Sequence, residues 1–156
     1  MNAILVIGEC GVGKTWVMRN LITDGNPHKK LGKFRFKEEN GYIVLGKYDK
    51  STFAGSDKLS MSVITDLELM MDYAKSRKKV MICEGDRFTN ARFISTAKPF
   101  IIRILGDGEQ GRKMRGSQQS ERQLKSIKTR VNNIEPNLKV ISSSECLNAI
   151  KKMVTK

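Results

Sequence analysis

Short apolar runs alternate with stretches of helical spacing along this chain. The first run, Ala3–Ile7 (AILVI), is continuous and stops at Gly8. An unbroken run of that length predicts a buried parallel strand. Val17, Met18, Leu21 and Ile22 then recur at helical spacing, which predicts a helix from Lys14 to about Thr23. The sequence DGNPH (24–28) ends it. From Lys29 to Lys37, Phe34 and Phe36 alternate with Arg35 and Lys37, as on a strand with one wet face. Gly41–Tyr48 predicts the second strand of a hairpin or a further sheet strand, and Asp49–Ser60 predicts a loop of functional type.

The clearest helix is predicted over Ser62–Lys79, with Ser62 as its cap and Val63, Ile64, Leu67, Met70, Met71 and Ala74 as its apolar stripe. Its methionines read as core filler, and KSRKK (75–79) reads as cations closing the helix C-terminus. Val80–Cys83 is a second buried strand, ending at EGDR; Thr89–Thr96 predicts a short helix and Phe100–Leu105 a strand. Glu109 to about Asn133 is polar and basic, and predicts two helical pieces with a bend near Gly116. Leu138–Ser142 is the last strand, and the helix after it begins with Ser-x-x-Glu. About five strands alternating with helices predict an α/β fold with a mostly parallel sheet covered on both faces. The 156 residues suggest one domain, 1–156, without repeats or low-complexity linkers.

Composition adds a partner. Lys and Arg number 29 against 16 Asp and Glu, a net charge of +13. Solubility alone needs only about 2 to 8, so a field of this size points to a polyanion such as nucleic acid. No apolar run reaches the roughly 20 residues of a membrane span. The N-terminus has no basic residues before its apolar stretch, so a signal peptide is not expected and a cytoplasmic location is. Cys10, Cys83 and Cys146 form neither a disulfide framework nor a metal spacing and read as reduced thiols. His28, the lone histidine, reads as exposed and incidental. Oligomeric state is left open.

The strongest chemistry lies at Gly8-Glu9-Cys10-Gly11-Val12-Gly13-Lys14-Thr15, a full G-x-x-x-x-G-K-[ST] between a predicted strand and a predicted helix. A triphosphate needs several donors at close range. Glycines let backbone N–H groups turn inward, and the helix N-terminus adds partial positive charge. Lys14 would reach the phosphates of ATP, and Thr15 would ligate Mg²⁺. Trp16 follows the motif; a core position under the loop is its expected role, with nucleotide contact the alternative.

Glu84 and Asp86 follow the apolar run of the second buried strand, where strand ends in α/β sheets face the ligand crevice. Glu84 is a candidate for holding Mg²⁺ through water, and Asp86 for the base or an acceptor ligand; Asp49 is a second candidate base. The segment 111–130 carries Arg112, Lys113, Arg115, Arg122, Lys125, Lys128 and Arg130 against Glu121 alone. It reads as a lid, within about 109–133, in which Arg112, Arg115 or Arg122 would stabilise charge on a transferring phosphoryl group.

Three stretches together resemble a group of bacteriophage P-loop kinases that includes 5-hydroxymethyluracil DNA kinases: GKYDKSTFAGSDKLSM (46–61), CEGDRFTNARFI (83–94) and RGSQQSERQLKSIKTRVNNI (115–134). The resemblance implies a P-loop kinase-like three-layer sandwich and phosphorylation of the base hydroxymethyl group in DNA, a step in thymine hypermodification within an infected bacterium. It also implies an acceptor pocket lined by Asp49, Ser51, Thr52, Asp57, Glu84, Asp86 and Arg87. Two rivals share the loop: a kinase of free deoxynucleoside monophosphates, and an NTPase stimulated by nucleic acid.

Overall fold

The computed structural model describes residues 1–9, 11–48, 63–85, 87–106 and 121–155. Seven strands form one sheet: β1 (Ala3–Ile7), β2 (Lys29–Leu31), β3 (Phe34–Glu38), β4 (Tyr42–Leu45), β5 (Val80–Glu84), β6 (Phe100–Ile104) and β7 (Leu138–Val140). Their spatial order is β2-β3-β4-β5-β1-β6-β7. The five strands β4-β5-β1-β6-β7 run parallel, whereas β2 and β3 add antiparallel pairings at one edge. The expected sheet of about five strands is therefore its parallel part, and the whole is a seven-stranded mixed sheet.

The two extra strands come from the basic stretch read as a single strand. Gly32 adopts a φ of 58° and, with Lys33, turns the chain between Leu31 and Phe34. The wet face expected there is partly closed: Phe34 and Phe36 are buried, and Lys37, opposite Val44, is only 8% exposed. A long aliphatic stem lets such a lysine lie along apolar surface.

Helices cover both faces among the described residues. On one, α1 (Lys14–Arg19) and the C-terminal α5 (Ser143–Val154) pack Val17, Met18, Cys146, Leu147 and Ile150 against Ile4, Val6, Ile82 and Ile102. On the other, α2 (Leu67–Ser76), α3 (Ala91–Ala97) and α4 (Glu121–Asn132) pack against Leu5, Ile7, Met81 and Cys83. Continuous apolar strands are the consequence of being covered twice. No helix among the described residues is long and apolar enough to cross a membrane.

Helix boundaries differ from the periodicity for local reasons. α1 ends at Arg19, not near Thr23; the Asn20 side-chain amide joins its own backbone N–H on the Trp16 carbonyl, at 2.8 and 3.1 Å, and the Leu21 N–H shifts to the Met18 carbonyl three residues back. Leu21 still reaches the core from the turn that follows. The predicted Ser62–Lys79 helix begins as a 3-10 turn, Val63–Asp66, and becomes α-helical only over Leu67–Ser76; Ser62 lies outside the described residues. Asp66 precedes α2 but does not cap it. Its carboxylate accepts the Lys33 backbone N–H at 2.8 Å, so it ties the β2–β3 turn to α2. Of the methionines of α2, Met70 is buried and Met71 is half-buried against the same core. Of the basic segment, the described part forms α4, and Gly116 lies outside. Ser142 caps α5 by accepting the Glu145 N–H at 3.2 Å, while Glu145 reaches back to the N–H of Ile141 at 2.8 Å.

The KSRKK cations do more than close a helix. Glu38, with its side chain 5% exposed, accepts from Lys29 (3.0 Å), Lys79 (2.9 Å), Arg77 (3.4 Å) and the Tyr73 hydroxyl. Arg77 also lies 4.6 Å over the Tyr73 ring. Burial would raise the Glu38 pKa, but hydrogen bonds from Tyr73, Lys79 and Lys29 outweigh it and hold it at about 2, against an ordinary 4.5. A depressed carboxylate stabilises the fold above its ordinary pKa and loses that contribution as pH falls toward the folded value. Long cationic side chains, rather than core, cover it, so solvent screening trims the gain to roughly 2 kcal/mol. Glu38→Gln should therefore lower stability by about that amount at pH 7. In urea melts the difference should shrink between pH 4.5 and pH 2; a constant difference would show that the charge is not what matters.

Candidate functional site

The loop after β1 is where the sheet, α1 and α5 meet. Gly11 and Gly13 have φ values of 93° and 104°, conformations that side chains other than glycine avoid. At Gly8 a Cβ would come within 2.7 Å of Val12 Cγ2 and 3.0 Å of the Ile104 carbonyl; at Gly13 it would come within 2.8 Å of Ser143 Cβ. These glycines are thus required by the close approach of β1, β6 and the starts of α1 and α5. Lys14 begins α1 and folds back, donating from Nζ to the carbonyls of Gly8 (2.8 Å) and Glu9 (3.0 Å). An ammonium lies across the mouth of a tight, glycine-built bend. Thr15 follows it, half-buried. Cys10 lies outside the described residues.

Trp16 departs from expectation. It is 44% exposed, on the outer side of the first turn of α1, and does not pack under the loop. The buried positions of this helix are Val17 and Met18, which face the sheet.

Glu84 ends β5, directly beside β1, where its register partner is Val6. Strand alternation turns it, like Val6 and Ile82, toward the face that holds α1. It is 4% exposed, and its Oε1 accepts the Tyr48 hydroxyl at 2.9 Å. A buried carboxylate without such a donor would be costly. Tyr48 in turn donates its backbone N–H to His28 Nε2 at 2.9 Å. His28 is therefore a half-buried acceptor, not an exposed bystander.

After Glu84 the chain turns through Gly85, at φ 94°. Phe88 anchors this turn in the core, 6.3 Å from the Phe34 ring and 5.1 Å from that of Phe93. Thr89 donates to the Gly85 carbonyl and Asn90 to that of Arg87, and the Asn90 side chain caps α3 by accepting from Phe93 N–H. Arg87 is held by these contacts with its Nε buried and without a hydrogen-bond partner. An unmet buried donor costs about 1–3 kcal/mol, which a bound acceptor would recover. Asp86 lies outside the described residues, as do Asp49, Ser51, Thr52, Asp57, Arg112 and Arg115.

Of the lid arginines Arg112, Arg115 and Arg122, the last is described. It is exposed on α4 and, with Lys125, Ser126, Thr129, Arg130 and Asn133, lines an open groove of about 500 Å³ on the outer face of that helix. Lys128, from the same helix, approaches the loop: its Nζ lies 3.9 Å from Glu9 Oε1. Exposed pairs at that distance contribute little, but the contact sets α4 alongside the loop. Arg122 itself is about one and two-thirds turns before Lys128, near the helix N-terminus.

The sequence reading passed over Tyr48, Ser143, Leu105 and Ile141. Leu105 and Ile141 follow β6 and β7 and are 39% and 76% exposed, and the Leu105 N–H donates to the Val140 carbonyl at 2.9 Å. An isoleucine one residue beyond a buried strand end was the available signal. Among the described residues, no group of three or more His, Cys, Asp or Glu could hold a metal ion. Burial pushes the Cys83 thiol well above its ordinary pKa and Cys146 up to about 12, which disfavours the thiolate at both. The chain matches no protein-family model and no curated protein.

Proposed function

We propose that this chain is an ATP- and Mg²⁺-dependent P-loop kinase, a single domain with a basic lid. Its acceptor is the hydroxymethyl group of 5-hydroxymethyluracil in DNA, as the resemblance to bacteriophage kinases implies. The observation that carries the reading is the bend between β1 and α1: glycines at positive φ, the Lys14 ammonium across two carbonyls, and buried Glu84 on the neighbouring strand. The donor set fits the nucleotide. Lys14 can exchange carbonyl oxygens for phosphate oxygens, and the loop amides of Gly11 and Gly13 have the freedom that glycine confers. Thr15 and Glu84 would hold Mg²⁺, and Leu105 with Ile141 offer an apolar shelf for the purine. When bound, ATP with Mg²⁺ supplies an activated phosphoryl group and charge neutralisation at its oxygens.

The chain's own residues do the rest. The acceptor oxygen bonds to phosphorus as its proton leaves and ADP departs; Asp49 and Asp86 are the candidate bases. Arg87 offers its unmet Nε–H to an acceptor-side oxygen. Lid arginines, Arg112, Arg115 or Arg122, would neutralise charge in the transition state. A base within DNA must leave its stack to be reached, and the +13 charge suits a polymer gripped through its flanking phosphates.

The test offers γ-labelled ATP in parallel with unmodified DNA, DNA containing 5-hydroxymethyluracil, and the free nucleotide. Label is expected on the second alone, and that transfer should fall steeply with added salt. Equal label on the free nucleotide, with only weak salt dependence, overturns the DNA acceptor. ATP hydrolysis stimulated by DNA without labelled product overturns the kinase.

A further inference from the structure

Tyr48 belongs to none of the phosphate-loop, strand-end or lid signals, yet it touches the buried acid beside the loop. β4 ends at Leu45, and the chain beyond it is pinned twice: Gly46 N–H donates to the Arg35 carbonyl at 2.7 Å, and Tyr48 N–H donates to His28 Nε2 at 2.9 Å. The ring between these anchors is 5% exposed, packed in the apolar layer shared with Val6, Val17, Val44 and Ile82. Its hydroxyl then reaches Glu84 Oε1 at 2.9 Å. A rigid ring held by its own backbone delivers one donor to one carboxylate oxygen.

We infer that Tyr48 is a positioning residue for Glu84, and that His28 holds Tyr48 in place. The inference rests on the reading of Glu84 as a Mg²⁺-organising carboxylate. A hydrogen bond donated to one carboxylate oxygen from a fixed ring restricts which way the carboxylate plane can turn. Groups one bond removed from a metal ligand commonly set its affinity through such a contact. The apolar layer around the pair strengthens the restraint, because water is not there to replace the donor.

Tyr48→Phe keeps the ring and its packing and removes the donor alone. The readout is binding of ADP as Mg²⁺ is titrated, followed by calorimetry. Trp16 emission gives a second signal, since it is the single tryptophan and follows Thr15 directly. The half-saturating Mg²⁺ concentration should rise about 10-fold or more in Tyr48→Phe, while ADP binding without Mg²⁺ should stay within about twofold, because the loop donors are untouched. His28→Ala should shift it the same way by a smaller factor, and it decides the matter should Tyr48→Phe prove unstable. In a Glu84→Gln background, Tyr48→Phe should add nothing further.

If the parent protein binds ADP with no Mg²⁺ dependence, the nucleotide-site reading falls and this inference falls with it. If the parent shows the dependence and Tyr48→Phe leaves it unchanged, or adds its full effect on top of Glu84→Gln, only the role of Tyr48 is overturned.

Discussion

Lys14→Ala is expected to lower phosphoryl transfer by at least about 10²–10³-fold while leaving the fold in place. The two halves of that expectation have separate causes. Lys14 Nζ contacts the carbonyls of Gly8 and Glu9 at 2.8 and 3.0 Å. It makes no contribution to either apolar layer, in which the α1 residues are Val17 and Met18. Losing two part-buried hydrogen bonds from a charged group should cost about 1–3 kcal/mol of stability, too little to unfold a domain of this size. In the proposed site Lys14 would stand where phosphate charge develops, and water cannot replace that point charge at the same distance, so the loss falls on turnover. Transfer from labelled ATP at saturating nucleotide measures the first half, and a thermal melt the second. Near-normal turnover would mean that the loop does not hold the phosphates.

Gly13→Ala carries the second large effect, and it should damage the loop through packing. Its φ of 104° costs an L-residue about 1–2 kcal/mol. Its new Cβ would stand 2.8 Å from Ser143 Cβ, well inside the 3.5–4.0 Å at which carbons pack. Relieving such overpacking costs a further 1–3 kcal/mol or so. The expected destabilisation is therefore roughly 2–5 kcal/mol, with ADP binding lost as α1 and α5 are pushed apart. Adding Ser143→Gly should return the packing share and leave the backbone share. Urea unfolding of the two variants separates these costs. A single variant within about 0.5 kcal/mol of the parent would show that the two helix starts do not approach as closely as described.

Much of this architecture was legible along the chain because its signals are local. Ala3–Ile7 and Val80–Cys83 are continuous apolar runs, and Phe100–Leu105 is broken only by Arg103; such runs arise when helices cover both faces of a strand. The motif at Gly8–Thr15 was legible for a similar reason: its glycines answer a backbone requirement that the loop itself imposes. Ser142 and Glu145 announced the start of α5 by a spacing that capping dictates.

What was misread turned on partners distant in sequence. Lys37 looked wet because it alternates with phenylalanines, but the β3–β4 pairing and the adjoining apolar layer cover its stem. Trp16 looked like a core residue by type, yet the helical turn directs Val17 and Met18 inward and leaves it outside. KSRKK does end α2, as read, and what the sequence could not show is that Arg77 and Lys79 also answer Glu38, some 40 positions earlier.

The sequence by itself determined the parallel strands, the bend that could cradle phosphates, and the cationic excess, because apolar periodicity, glycine backbone freedom and charge are properties of neighbouring residues. Only the tertiary structure decided that Glu84 stands beside β1 with Tyr48 bound to it, that His28 supports Tyr48, and that Ser143 forbids a side chain at Gly13. Those contacts join residues 20 to 130 positions apart. Strand order and helix docking, rather than any local propensity, bring them within bonding distance.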